Sequence, residues 1–223
     1  MHIHIPDGVL PLWLWILGYA IVIVFLFAAV RKVRGEEKRG VYAATMAAIM
    51  LVAMSIPLGV PYHINLTVLT GIILGPWWAL ISTFVTNLIL ATFGHGGITI
   101  VGLNTIITWF ESLVGFYIFK TLQKAFARKS WRFAMASGVS TFTALMLSTI
   151  LVISIVAASG INPAEVIHHH NNGDGETQMS LTVFAALTFP IALVGAVIEA
   201  AVTSLILVYV KKVKPTLIPG WYA

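Results

Sequence analysis

Seven apolar stretches, separated by short connectors that carry charge, glycine or proline, fill this chain from end to end. They cover 9–30, 41–56, 64–74, 77–93, 98–119, 133–158 and 181–210. About 20 apolar residues in a helix cover about 30 Å of hydrocarbon, so runs of this kind predict membrane-crossing helices. The expected fold is an all-α integral membrane protein, a bundle of about seven transmembrane helices forming one domain over 1–223. The third run is too short to cross alone, and Gly75-Pro76 directly after it breaks a helix, so a tilted or half-inserted segment is expected there. Two polar stretches stand outside the pattern: residues 1–8 and the loop 161–180.

Composition agrees with the pattern. Hydrophobic residues make up 59% and charged residues 9%, where a soluble domain carries about 25% charged. No soluble catalytic domain fits in what remains. The net charge of +5 does not point to nucleic acid, because all thirteen basic residues sit in connectors or the tail. Arg31, Lys32, Arg34, Lys38 and Arg39 form one group, and Lys120, Lys124, Arg128, Lys129 and Arg132 a second. Lys211, Lys212 and Lys214 form the third. Seven crossings place all three groups on one side, which the positive-inside rule makes the cytoplasm. The amino terminus then lies outside and the carboxyl terminus inside. All seven histidines fall at or beyond the outer boundary, and a metal or proton site facing outward follows.

The amino-terminal segment reads Met1-His2-Ile3-His4-Ile5-Pro6-Asp7-Gly8. It lacks the positive start and small-residue cleavage site of a signal peptide, so it is expected to remain as part of a site. A free amine followed by His2 can chelate through the amine, the deprotonated His2 amide and the imidazole, a planar nitrogen set that suits Ni(II) or Cu(II). His63, in the turn Pro57-Leu58-Gly59-Val60-Pro61-Tyr62-His63, is the best candidate for the fourth position, with His4 nearby. A frayed terminus and a helix-capping His63 explain the same residues about as well, and only their shared side favours the site. With no cysteine in the chain, thiolate ligation is excluded.

His95 lies among three glycines in Phe93-Gly94-His95-Gly96-Gly97, where an interfacial turn explains it better than direct ligation. Asn104 and Glu111 stand seven apart and share a helical face. For Asn104 an interhelical hydrogen bond competes with a site role. Glu111 and Glu199 are expected to pair across helices or bind a partner. His168, His169 and His170 belong to a polar loop that suits an outer collector of metal rather than a preorganised site. Ala43 and Ala47, and Ala44 and Ala48, form small-xxx-small pairs that let another helix approach closely. There is no ATP-binding Gly-x-x-x-x-Gly-Lys-Ser/Thr and no His-Glu-x-x-His, so any uphill transport draws energy from partners or an ion gradient.

Several blocks together resemble the substrate-binding membrane subunits of energy-coupling factor cobalt and nickel importers, the CbiM and NikM family. The start resembles Met-His-Ile-Pro-Asp-Gly, and Leu74-Gly75-Pro76-Trp77 resembles Leu-Gly-Pro-Trp. The stretch from Phe93 to Asn104 resembles a Phe-Gly-(Asp/His)-Gly-Gly-x-Thr-x-x-Gly-x-Asn block, and Glu199-Ala200-Ala201-Val202-Thr203 a Glu-Ala-x-x-Thr block. The resemblance implies a nitrogen site for Ni(II) or Co(II) made by the Met1 amine, a histidine amide and imidazole, and His63. Asp7, Asn65, His95 and Asn104 are accessory groups around it. Alignment on Pro6-Asp7-Gly8 puts His4 in the histidine's place, whereas chelation with the free amine requires His2, and both registers stay open. Ser55-Ile56-Pro57 departs from the family's usual Asn-Phe-Pro.

The resemblance further implies a transport subunit of the cell membrane rather than an enzyme, with no organic cofactor. Its partners would be a transmembrane coupling protein docking on Ala43, Ala44, Ala47 and Ala48, a cytoplasmic ATPase pair, and in some systems a small accessory membrane protein. A stand-alone secondary transporter or channel for a divalent cation is the alternative. It would use mid-span acids, and only Glu111 and Glu199 qualify. An intramembrane enzyme ranks below both.

Overall fold

The computed structural model describes residues 8, 10–56, 63–94, 96–125, 130–164 and 178–218, and no strand occurs among them. The helices are α1 (Leu12–Lys32), α2 (Glu37–Ser55), α3 (Thr67–Leu74), α4 (Pro76–Thr92), α5 (Val101–Ala125), α6 (Ser130–Ser159) and α7 (Leu181–Val213). Each overlaps one of the seven apolar runs, and most boundaries differ by a few residues. Polar first and last turns account for most of the difference, since side chains there reach water while the backbone stays helical. Thus α2 begins four residues early, with Glu37 in its first turn, and α1 ends on Arg31 and Lys32; acids at the start and bases at the end complement the helix dipole. Pro76 opens α4, where its missing N–H costs no helical bond. Ser180 caps α7, its hydroxyl oxygen accepting the Val183 N–H.

Among the described residues, four helices are long and apolar enough to cross a membrane: 12–32, 98–124, 131–159 and 181–213. The shorter α4 is apolar, α2 carries Glu37, Lys38 and Arg39 at its start, and α3 has only eight residues. The apolar window of α5 is 67% buried inside the protein, against 22% for α1, which makes α5 the central helix and α1 a peripheral one. Close approach makes this packing possible. A Cβ on Gly102 of α5 would stand 2.6 Å from the Tyr19 backbone nitrogen of α1, and Gly71 and Gly115 likewise admit α3 against α5.

Side-chain contacts fix the helix directions. Ser82 and Thr86 donate to the Ala43 and Ala47 carbonyls, so α4 runs parallel to α2. Gly18 meets Leu103 while Phe25 stacks on Trp109, so α1 runs parallel to α5. Phe119 packs on Phe133 and Ser148 bonds Glu111, so α6 runs antiparallel to α5. One face therefore gathers the α1–α2 turn, Gly75 and the ends of α5 and α7, where the described basic residues lie. The opposite face gathers the start of α1, the end of α2, the α4–α5 turn and the α6–α7 connection.

The third run is the irregular one, as its length foretells. From His63 to Leu66 the chain is not helical, and α3 starts only at Thr67. Thr67 lies beside Glu111, ten residues along α5, which is about 15 Å from the start of that helix at 1.5 Å per residue. The strap 63–66 thus descends from the face that holds the end of α2 into the middle of the bundle, and α3 completes the distance.

Candidate functional site

An extended strap at mid-membrane depth has backbone N–H groups that no helix satisfies, and lipid offers no substitute; such a segment survives only where protein supplies partners. Here Glu199 of α7 takes two of those N–H groups, while side chains of α5 and α6 hold Thr67 at the strap's end. Glu199 of α7 accepts the Asn65 N–H on one carboxylate oxygen at 3.1 Å and the Leu66 N–H on the other at 2.9 Å. Glu111 of α5 accepts the hydroxyls of Thr67 and of Ser148 on α6, both at 2.6 Å. Ser112 donates to the Thr67 carbonyl at 2.8 Å. Both acids are buried, Glu199 fully so. The expectation that they pair across helices holds for Glu111; Glu199 instead caps the backbone at the start of α3, where the positive end of the helix dipole also favours a carboxylate.

Leu66 takes φ 57°, the one described residue other than glycine with a positive φ. It turns the chain from strap into helix while its side chain stays in the core. Two residues before Asn65 stands His63, half-buried, with Nδ1 3.4 Å from the Ile56 carbonyl oxygen. His63 is therefore held near the end of α2.

Several buried polar side-chain atoms among the described residues have no hydrogen-bond partner. Asn65 is fully buried, and neither its side-chain oxygen nor its nitrogen has a hydrogen-bond partner. The same is true of Asn104 Oδ1, Thr105 Oγ1 and Thr203 Oγ1. Buried side-chain polar atoms are mostly paired, so the unpartnered side chain of Asn65, itself a strap residue, marks where a polar occupant would be satisfied. The interhelical bond expected of Asn104 is not made by its Oδ1.

Met1, His2, His4, Asp7, His95 and His168 to His170 lie outside the described residues, so of the expected metal set only His63 is placed. No group of three or more His, Asp or Glu side chains that could hold a metal occurs among the described residues. Of the accessory candidates, Asn65 and Asn104 are placed, both buried. Ala43 and Ala47 face inward against α4, while Ala44 and Ala48 are exposed on the outer side of α2. Trp13 is exposed at the start of α1, and Trp78 donates to Glu36 at the basic face.

Sequence reasoning missed Thr67, Ser112, Ser148 and Leu66. A signal existed for the first three: an acid in mid-span demands donors, and hydroxyls in neighbouring apolar runs are the available ones. Nothing in the sequence marks Leu66 as left-handed, because that conformation is normally assigned to Gly or Asn.

Residues 4–217 match the family model CbiM, described as a cobalt uptake substrate-specific transmembrane region. A protein of Archaeoglobus fulgidus named as a fused nickel transport protein is 32% identical over 129 residues, 54% of this chain and 43% of that protein. A cobalt transport protein CbiM of Geobacter sulfurreducens is 25% identical over 229 residues, 96% of this chain and 61% of that protein. The chain thus spans less than two thirds of the length of either relative. Among solved structures, the crystal structure of a transition metal transporter superposes with a TM-score of 0.74 at 26% identity, covering 94% of this chain and 93% of that one.

Proposed function

From the premise that this chain belongs to the CbiM family of cobalt uptake substrate-specific transmembrane regions, we propose that it captures Co(II) or Ni(II) outside the cell and passes it inward as one subunit of an energy-coupling factor importer. The observation that carries this reading is the strap: a histidine-bearing, non-helical segment enters the bundle from the face opposite the described basic residues. With those residues cytoplasmic, the strap opens outward, and His63 is available to metal arriving from outside.

The cargo site consists of His63 with the Met1 amine and the amide and imidazole of His2, joined by His4; Asp7, Asn65, His95 and Asn104 surround it. Four nitrogens in a plane favour Ni(II), while Co(II) accepts the same donors in other geometries. His168 to His170 collect metal in the outer loop. Energy comes from a coupling protein and a pair of cytoplasmic ATPases, with a small accessory membrane protein as a further partner. The exposed Ala44 and Ala48 offer the coupling protein a close approach on α2, whereas Ala43 and Ala47 already serve packing against α4.

A stand-alone carrier or channel would employ Glu111 and Glu199 as ion-binding acids. Their four carboxylate oxygens instead receive donors from the chain itself, which favours the subunit reading. Calorimetry with Ni(II) and Co(II) on purified protein tests it. His63→Ala and a form with one residue placed before Met1 are both expected to lose binding. Full affinity in both would overturn the proposed site.

A further inference from the structure

We propose that Glu199 is a positioning residue for the metal cargo, a carboxylate on α7 that holds the strap 63–66 in the one shape in which His63 reaches metal. This rests on the reading of His63 as a ligand. The carboxylate makes a two-pronged contact, each oxygen taking one of two consecutive N–H groups, at 2.9 and 3.1 Å. Those N–H groups belong to Asn65 and Leu66, which sit 134 and 133 residues away in sequence from their acceptor. The neighbouring anchor, Glu111 with Ser148 and Ser112, grips Thr67 instead, after the chain has become helix.

The local backbone depends on that grip. Leu66 has φ 57°, a region a leucine enters only when the surroundings impose it. With the two N–H groups of residues 65 and 66 both turned to one carboxylate, the left-handed conformation at Leu66 is the geometry that satisfies them. The neighbouring Asn65 amide, fully buried and unpartnered, is held beside the strap as a polar group with no structural bond to make. A polar atom so placed serves cargo or its water shell rather than packing.

The consequence is mechanical. Because the carboxylate belongs to α7, the strap follows that helix: a shift of α7 relative to α3 and α5 breaks or bends both hydrogen bonds and moves His63. Metal affinity and the position of α7 are therefore linked, and a partner that displaces α7 lowers affinity without touching the metal.

The test compares Glu199→Gln, Glu199→Asp, Asn87→Ala and His63→Ala in the full chain, purified in detergent with its native amino terminus. Glutamine keeps one acceptor oxygen but turns an NH2 toward an N–H. Aspartate keeps the charge but is one methylene short of reaching both donors. Asn87→Ala removes the α4–α5 hydrogen bond to Thr108 and serves as a control for lost stability alone. Glu199→Gln is expected to weaken Ni(II) binding tenfold or more, to shift the Ni(II) ligand-field absorption, and to speed hydrogen exchange in a peptide covering residues 63–66. Glu199→Asp falls between it and wild type, and supplies the result should the glutamine form not fold. Asn87→Ala keeps wild-type affinity and spectrum even at an equal loss of Tm. Unchanged strap exchange in Glu199→Gln, or wild-type affinity and spectrum in a folded Glu199→Gln or Glu199→Asp, overturns the inference. Wild-type Ni(II) binding in His63→Ala overturns the ligand reading instead, and exchange in the metal-free protein still reports whether Glu199 holds the strap.

Discussion

Leu66 shows two single-residue effects in opposition. Its positive φ of 57° costs a side-chain-bearing residue about 1–2 kcal/mol, which glycine would relieve. Its side chain, 6% exposed in the main core cluster, contributes more, since deleting a buried leucine costs about 2–5 kcal/mol. Leu66→Gly is therefore expected to lower stability by about 1–3 kcal/mol, the balance of those two magnitudes, measured as a fall in Tm of the detergent-solubilised protein. Thr67 presents no such balance. Its hydroxyl donates to Glu111, so Thr67→Val leaves one carboxylate oxygen without that donor at nearly unchanged volume. A loss of about 1.5–3 kcal/mol is expected, the range for hydrogen bonds to charged groups, again read from Tm. A loss under half of that would mean the Ser148 hydroxyl alone satisfies Glu111. Neither residue could be singled out from sequence: a leucine and a threonine in an apolar run look like ordinary lipid-facing or core positions until their neighbours are known.

Between elements, the crossing of α1 over α5 is a backbone-to-backbone contact. A methyl group on Gly102 would lie 2.6 Å from the Tyr19 nitrogen and 2.7 Å from the Gly18 carbonyl carbon, and backbone atoms cannot rotate away as a side chain can. Gly102→Ala forces the two helices apart and is expected to cost about 1–3 kcal/mol, the usual range for overpacking. Gly40→Ala is its counterpart: the added methyl meets only the Trp78 ring at 3.4 Å, an ordinary contact, and the Tm should stay close to wild type. Equal effects of the two substitutions would refute a backbone-limited crossing. Here the apolar runs announced the elements well, six of them as ordinary helices and the 64–74 run as the defective one. They did not announce which glycines carry crossings, because a glycine in a membrane helix looks the same whether it faces lipid or another backbone.

At the scale of the whole molecule, the two faces differ in charge: the described basic residues lie on one, and the strap descends from the other. The orientation proposed above rests on the positive-inside rule, and the absence of cysteine makes it directly measurable. In otherwise cysteine-free protein, Ser180→Cys is expected to react with a membrane-impermeant thiol reagent in intact cells, whereas Arg34→Cys should react only after the membrane is opened. The reverse pattern would place the strap and His63 in the cytoplasm and end the reading of metal capture from outside.

Hydrophobic length and the placement of thirteen basic residues determined, from sequence alone, that the chain is a helical membrane protein with two chemically unlike faces, because transfer of charge into hydrocarbon is costly enough to keep all thirteen in connectors or the tail. Sequence blocks also sufficed for the family, and Gly75-Pro76 for the broken third run. Tertiary structure alone decided what the break is for. Only contacts between residues more than a hundred positions apart turn Glu199 from a mid-span acid into the acceptor for Asn65 and Leu66. Likewise, only packing separates Ala43 and Ala47 from Ala44 and Ala48, which share one helix and one composition. Local pattern reports how each residue meets water or lipid; it carries no information about which distant donor a buried acceptor will find.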